Sequence, residues 1–274
     1  MEIKRVYAVY FSPTGNTEKV VAALAEAVGK KLGAVTERFD FTLPPARTET
    51  RRFGPSDLVI FGIPVYAGRI PNKILPFVQS GFSGNGALAV PVVTYGNRSF
   101  DNGLIELRNE LEQGGFHTVA GAAVVARHPF SETLGAGRPD AEDLAILADF
   151  AVKVAEIAAA SDASSPPVQV PGDDPVGPYY TPLGLDGAPV SFLKAKPKTD
   201  PEKCNNCGIC ARVCPMGSIN PDNVFEVTGV CIKCHACVRK CPQGAKYFDD
   251  PALVSHLAML EQGYQRRAES VVFY

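Results

Sequence analysis

The chain has no tryptophan and three methionines, and all eight of its cysteines lie between Cys204 and Cys241. The first 203 residues therefore cannot form disulfides. No run of eighteen or more apolar residues occurs, which excludes a membrane-spanning helix. The strand-like start M-E-I-K-R-V-Y-A-V-Y is expected to carry no secretory leader. Neither G-K-[ST] nor G-x-G-x-x-G follows the first strand, which counts against a nucleoside triphosphate or a dinucleotide. Net charge is −2, so the chain has no overall basic field for nucleic acid.

With 46% hydrophobic and 20% charged residues in 274, the sequence has room for one ordinary domain and a small one. Residues 3–10 read as a buried strand, followed by a helix carrying Val20, Val21, Leu24 and Val28 on one face. Strands are expected at 34–41, 57–64, 87–94 and 116–126, and helices at 71–79, 103–113 and 140–160. This alternation predicts an α/β fold, a doubly wound parallel sheet of five strands. Residues 161–201 hold nine prolines but also Tyr179, Tyr180, Leu183, Leu185, Phe192 and Leu193. They read as an extended strap lying on the first domain, mobile at its Ser/Pro-rich start. A short helix, 251–267, and an apolar tail, Val271 to Tyr274, are expected to dock at the end.

The cysteines form two runs, C-N-N-C-G-I-C-A-R-V-C-P and C-I-K-C-H-A-C-V-R-K-C-P, the second repeating the first at an offset of 27. C-x2-C-x2-C-x3-C-P brings three thiolates to one [4Fe–4S] cubane and sends the fourth to the other. Cys204, Cys207, Cys210 and Cys241 are thus expected to hold one cluster, and Cys231, Cys234, Cys237 and Cys214 the second. Zinc prefers separated pairs of ligands. Disulfides would need an oxidising compartment, whereas iron ligation implies a reducing cytoplasm. Zinc and a three-iron form stay open as lesser alternatives. Residues 194–248 carry nine Lys/Arg against four Asp/Glu, and the rest eighteen against twenty-five. The excess is expected to offset the negative clusters, through Lys203, Arg212, Lys233, Arg239 and Lys240, or to attract an acidic partner.

Between the first strand and helix lies Ser12-Pro-Thr14-Gly15-Asn16-Thr17. A helix N-terminus holds phosphate through free N–H groups without a cation, although such a loop can equally be a simple capped start. S-P-T-G-N-T after an N-terminal strand resembles the FMN phosphate loop of flavodoxins, and the paired cysteine runs resemble bacterial two-cluster ferredoxins. Over nearly the whole chain the sequence is similar to flavodoxin–ferredoxin fusion proteins of anaerobic bacteria and archaea. The resemblance implies sheet order 2-1-3-4-5 and an FMN domain over 1–160. It further implies a strap over 161–195, a small α+β two-cluster ferredoxin-like domain over 196–248, and a docking tail over 249–274.

By the same resemblance, Pro64, Val65, Tyr66, Ala67 and Gly68, with Thr94, Tyr95, Gly96 and Asn97, would embrace the isoalloxazine ring. Tyr66 and Tyr95 would stack on it, and Arg69 and Arg98 would favour its anionic reduced form or bind a partner. His128 is a candidate proton donor, with a satisfied loop histidine as the plainer reading. The implied function is an oxidoreductase relaying single electrons between two [4Fe–4S] clusters and FMN. The alternative is an FMN-dependent reductase of a small substrate. The partner would be a redox protein or a small acceptor. Whether the clusters serve their own flavin or that of a neighbour in a homodimer is left open by the sequence.

Overall fold

In the computed structural model, residues 2–161 and 165–274 are described. Residues 162–164, at the Ser/Pro-rich start for which mobility is expected, lie outside the described residues. Strands β1 (Arg5–Tyr10), β2 (Val35–Asp40), β3 (Asp57–Pro64), β4 (Leu88–Tyr95) and β5 (Gly121–Val125) pair in parallel in the order β2-β1-β3-β4-β5. That is the flavodoxin-like doubly wound order. Strands β3 and β4 run as continuous apolar stretches because helices cover both faces of a parallel sheet.

One face packs against α1 (Asn16–Leu32) and α4 (Ala141–Ala160), whose Val20, Val21, Leu24 and Val28 meet Leu147, Phe150 and Val154. The other face carries a phenylalanine-rich layer with Phe11, Phe41, Phe61 and Phe82. It is covered in part by α2 (Leu75–Ser80) and α3 (Gly103–Gln113). Helix α2 starts later than the expected 71, because Pro71 to Ile74 first make a turn closed by the Ile74 N–H on the Pro71 carbonyl. The fifth strand is interrupted after His117–Thr118, where the Glu112 carboxylate accepts from both the amide and the hydroxyl of Thr118.

Among its described residues the strap forms one isolated bridge, Leu183 with Pro189. The cysteine-bearing unit closes on itself by pairing β6 (Lys198–Thr199) antiparallel with β7 (Lys246–Tyr247). Between them, α5 (Ile209–Arg212) and α6 (Ala236–Arg239) are single turns, one per cysteine run. Helix α7 (Pro251–Gly263) begins on an Asp250 cap and ends short of the expected 267. The tail does more than dock. As β8 (Val271–Phe273) it pairs antiparallel with β5 and becomes an edge strand of the main sheet.

Candidate functional site

The two cysteine runs fold as copies, residue for residue. Gly208 and His235 sit at left-handed φ of 72° and 59°, Asn206 and Lys233 at 57° and 54°, Gly217 and Gly244 at 59° and 58°. Each pair is 27 apart, the offset of the repeat. The Cys214 sulfur accepts the Ser218 N–H at 3.3 Å, and the Cys241 sulfur accepts the Ala245 N–H at 3.3 Å. Left-handed backbone at three non-glycine residues is costly and persists only when the surroundings demand it.

The runs enclose two small voids. Cys204, Cys207, Cys210 and Cys241 line the first; Cys214, Cys231, Cys234 and Cys237 line the second. In each, three sulfurs of one run meet the fourth of the other, which is the crossed set a cubane pair requires. Burial pushes the Cys210 and Cys231 thiols up, raises Cys237 to about 12 and takes Cys234 well above the ordinary range. For Cys241, burial pushes the same way, but N–H groups from Ala245, Gln243, Lys246 and Gly244 outweigh it and stabilise the thiolate. Such N–H···S bonds are what an anionic metal-bound sulfur needs. Cys207 is exposed, while Cys210, Cys234 and Cys237 are buried.

A larger cavity of about 670 Å³ lies at the carboxyl ends of the strands, within the size of small-molecule sites, roughly 300–1,000 Å³. Of the sequence candidates, Thr14, Asn16, Thr17, Pro64 to Gly68, Thr94, Tyr95 and Gly96 line it. Gly15, at φ 92°, begins α1 and offers no cap of its own; the Glu18 amide is taken by the Ser12 hydroxyl, and those of Asn16 and Thr17 are the first-turn donors for an anion.

Ser12, Gly15 and Asn97 do not line the cavity. Ser12 is turned inward, its hydroxyl accepting the Glu18 N–H at 2.9 Å and its own N–H donating to Thr42 Oγ1. The Asn97 side chain donates to the carbonyls of Tyr264 and Arg266, both at 2.7 Å, and accepts from Ala268. It is a clamp on the tail. Tyr95 reaches the cavity, but its hydroxyl is fixed on the Glu269 carbonyl at 2.7 Å. The arginines are also committed elsewhere. Arg69 pairs with buried Glu106 and lies 4.5 Å from the Tyr179 ring centre; Arg98 pairs with Asp101 and lies 4.0 Å from that of Tyr180. Both pin the strap, whose Tyr180 N–H donates to the Ala67 carbonyl at 2.8 Å.

Sequence reasoning missed the remaining wall. Tyr179, Tyr180, Phe192 and Leu193 of the strap, His256 and Leu260 of α7, and Cys231 to Cys234 of the second run all line this cavity. Among the described residues, no aspartate or glutamate does. Burial and the nearby Cys234 and Cys231 sulfurs push the Tyr66 hydroxyl well up, so this ring stands between loop and cysteines. Burial, His256, Arg239 and Arg98 hold His128 down at about 3. Its Nδ1 accepts the Phe130 N–H at 3.2 Å, so its proton sits on Nε2. His256 is the opposite case. Its Nδ1 donates to the Leu183 carbonyl at 2.8 Å, leaving Nε2 an acceptor, and burial lowers its pKa. The wall thus presents one neutral imidazole donor and one neutral acceptor. Gly96 makes room for the donor, since a Cβ there would stand 2.3 Å from the His128 ring.

Side-chain contacts hold the cysteine unit on the sheet domain. Arg239, read from the sequence as a counter-charge to the clusters, donates to the carbonyls of Pro129 and Ser131 and pairs with Glu132. From the other side, Arg47 donates to the Pro215 carbonyl.

Comparison with known proteins bears on both parts. Residues 196–219 and 228–244 each match a family model described as a 4Fe-4S binding domain. No curated protein matches the chain. Among solved structures, a flavodoxin from the domain Archaea aligns at 14% identity over 57% of this chain and 99% of its own, with a TM-score of 0.40. The Streptococcus pneumonia TIGR4 flavodoxin aligns at 21% identity over 57% and 98%, also at 0.40. The rubredoxin oxygen:oxidoreductase from Desulfovibrio gigas aligns at 18% over 58% of this chain and 37% of its own, again at 0.40. The sheet order and the two 4Fe-4S matches describe a flavodoxin-like domain joined to an iron–sulfur unit, an architecture for redox electron transfer.

Proposed function

We propose that the chain relays single electrons between two [4Fe–4S] clusters and FMN. Cys204, Cys207, Cys210 and Cys241 would hold an outer cluster, and Cys231, Cys234, Cys237 and Cys214 an inner one. One observation carries the reading: a single cavity has the Thr14–Thr17 loop in its wall together with Cys231 and Cys234. Bound clusters would supply one-electron chemistry and bound FMN one- or two-electron chemistry.

The chain's own groups do the holding. First-turn amides of α1 and the Thr14 hydroxyl receive the phosphate. Pro64 to Gly68 and Thr94 to Gly96 flank the ring, with Tyr66 on the side of the inner cysteines. Tyr179, Tyr180 and Phe192 of the strap exclude water, which keeps the wall between the two sites dry. Because sheet, strap and cysteine unit of one chain supply this wall, the relay is intramolecular and its partners need not find a separate flavoprotein. On this reading 1–160 is the flavin domain, 161–195 the strap, 196–248 the two-cluster domain and 249–274 the return segment. Exposed Cys207 marks the face where a redox protein would exchange electrons. The ligand set calls for a reducing compartment, the cytoplasm.

Protein purified without oxygen should contain about eight iron atoms and one FMN per chain. Colourless protein, or zinc in place of iron, would overturn the relay. A second reading, a reductase of a small molecule, is favoured by the neutral His128 and His256 pair on the cavity wall. Saturating anaerobic turnover with one of a panel of small oxidants would select it. Reaction with every acceptor and no saturation would select the carrier.

A further inference from the structure

The two copies of the cysteine loop carry different residues at two left-handed positions, Asn206 against Lys233 and the position two residues further on. The first run has Gly208 there and the second His235. Packing does not forbid a side chain in the first copy, since a Cβ on Gly208 would meet only the tip of Arg212, at 3.0 Å. In the second copy the imidazole is buried at 7% exposure. It is stacked on Phe248 at 4.5 Å and 10° and faces Phe130 at 4.4 Å and 31°. Phe248 lines the inner cysteine void and Phe130 the large cavity, so the ring forms part of the partition between them. His235 itself lines the void, and its Nε2 is buried with no hydrogen-bond partner among the described residues. A polar atom buried in that state is costly unless something absent from the protein atoms satisfies it.

We propose that His235 donates its Nε2–H to the sulfurs of the cluster held by Cys214, Cys231, Cys234 and Cys237, and thereby gives that cluster the higher reduction potential of the two. A cluster and its thiolates offer only acceptors, so they select the tautomer with the proton on Nε2. A donor stabilises the more negative, reduced state and raises the potential. Gly208 offers the outer cluster nothing equivalent. The inner position, whose cysteines share the cavity wall, is then the downhill one, and electrons flow from the exposed Cys207 side inward. The inference rests on the two-cluster reading above.

The test is an anaerobic redox titration of the holoprotein followed by EPR, wild type against His235→Gly. Glycine keeps the left-handed backbone already present at 208. One of the two one-electron steps should move to lower potential by roughly tenfold in reduced-to-oxidised ratio, about 59 mV, while the other stays. His235→Asn, which tolerates this backbone and keeps an N–H, should recover part of the shift. Both steps unmoved in His235→Gly with full iron would overturn the proposal while leaving the relay intact. Wild-type protein lacking iron would sink the relay first. Should the glycine variant lose iron, pulsed EPR of reduced wild type carrying isotopically labelled histidine decides. Nitrogen coupling to one cluster supports the hydrogen bond, and no coupling to either overturns it.

Discussion

The sheet domain and the cysteine unit hold themselves together in opposite ways. The sheet buries two extended apolar layers, one on each face, before any cofactor is considered. The apolar cluster of the cysteine unit is only Cys210, Ile219, Val224 and Cys237, and two of those four are among the cysteines proposed to hold the clusters. A unit that small lacks the apolar area to offset its chain entropy, so metal ligation has to supply the stability. On the proposed function, the first region would be a scaffold that receives a cofactor, and the second a wrapping that its cofactor folds.

Iron removal should break the comparison open most widely. Chelation, or Cys234→Ser, is expected to abolish hydrogen-exchange protection across 196–248 while the amides of β1 to β5 keep theirs. Equal protection in both regions of the apoprotein would refute the contrast. Next in size is Asp143→Ala. Asp143 is buried with Arg138 and accepts from Ser270 at 2.6 Å, so the substitution leaves an unpaired buried guanidinium beside the tail. Urea unfolding of the sheet domain should register a loss of about 3–5 kcal/mol.

The same group gives a pH signature confined to the scaffold. Burial alone would raise the Asp143 pKa, but bonds from Arg138, Ser270 and the Asp140 N–H outweigh it and lower the value. Its contribution is therefore fully present above the ordinary carboxylate pKa of about 4 and fades as pH falls through the lower, folded value. Asp143→Asn should flatten that part of the acid-stability curve. The smallest effect expected is at the seam. Arg239→Ala removes contacts to Pro129, Ser131 and Glu132, costs about 1–2 kcal/mol of docking, and should speed proteolysis in 127–135 with the β1–β5 core intact.

Much of this architecture is legible in the sequence because its signals are local. Apolar runs such as Asp57–Pro64 announce buried strands, and the cysteine spacing announces the crossed voids. What escapes is set by contacts distant along the chain. Nothing near Asn97 says that it will clamp residues 264–268, or near Arg69 and Arg98 that they will hold the strap. Val271 to Phe273 reads as a docking tail because an edge pairing is specified by its partner strand, β5. The histidine at 235 does carry a visible signal. Aligning C-G-I-C with C-H-A-C exposes the exchange of glycine for histidine at a left-handed position.

The return of the chain to β5 changes the status of the iron-binding unit. It is an insertion anchored at two ends, not a pendant, and its freedom is that of a clasp. It also orders synthesis. The ribosome makes the closing edge strand after both cysteine runs, so a nascent chain keeps an open sheet margin until the metal site has been translated. Chains that stall there would present that bare margin to one another, whereas in the finished molecule it is taken by a strand of three residues, short enough to blunt the edge.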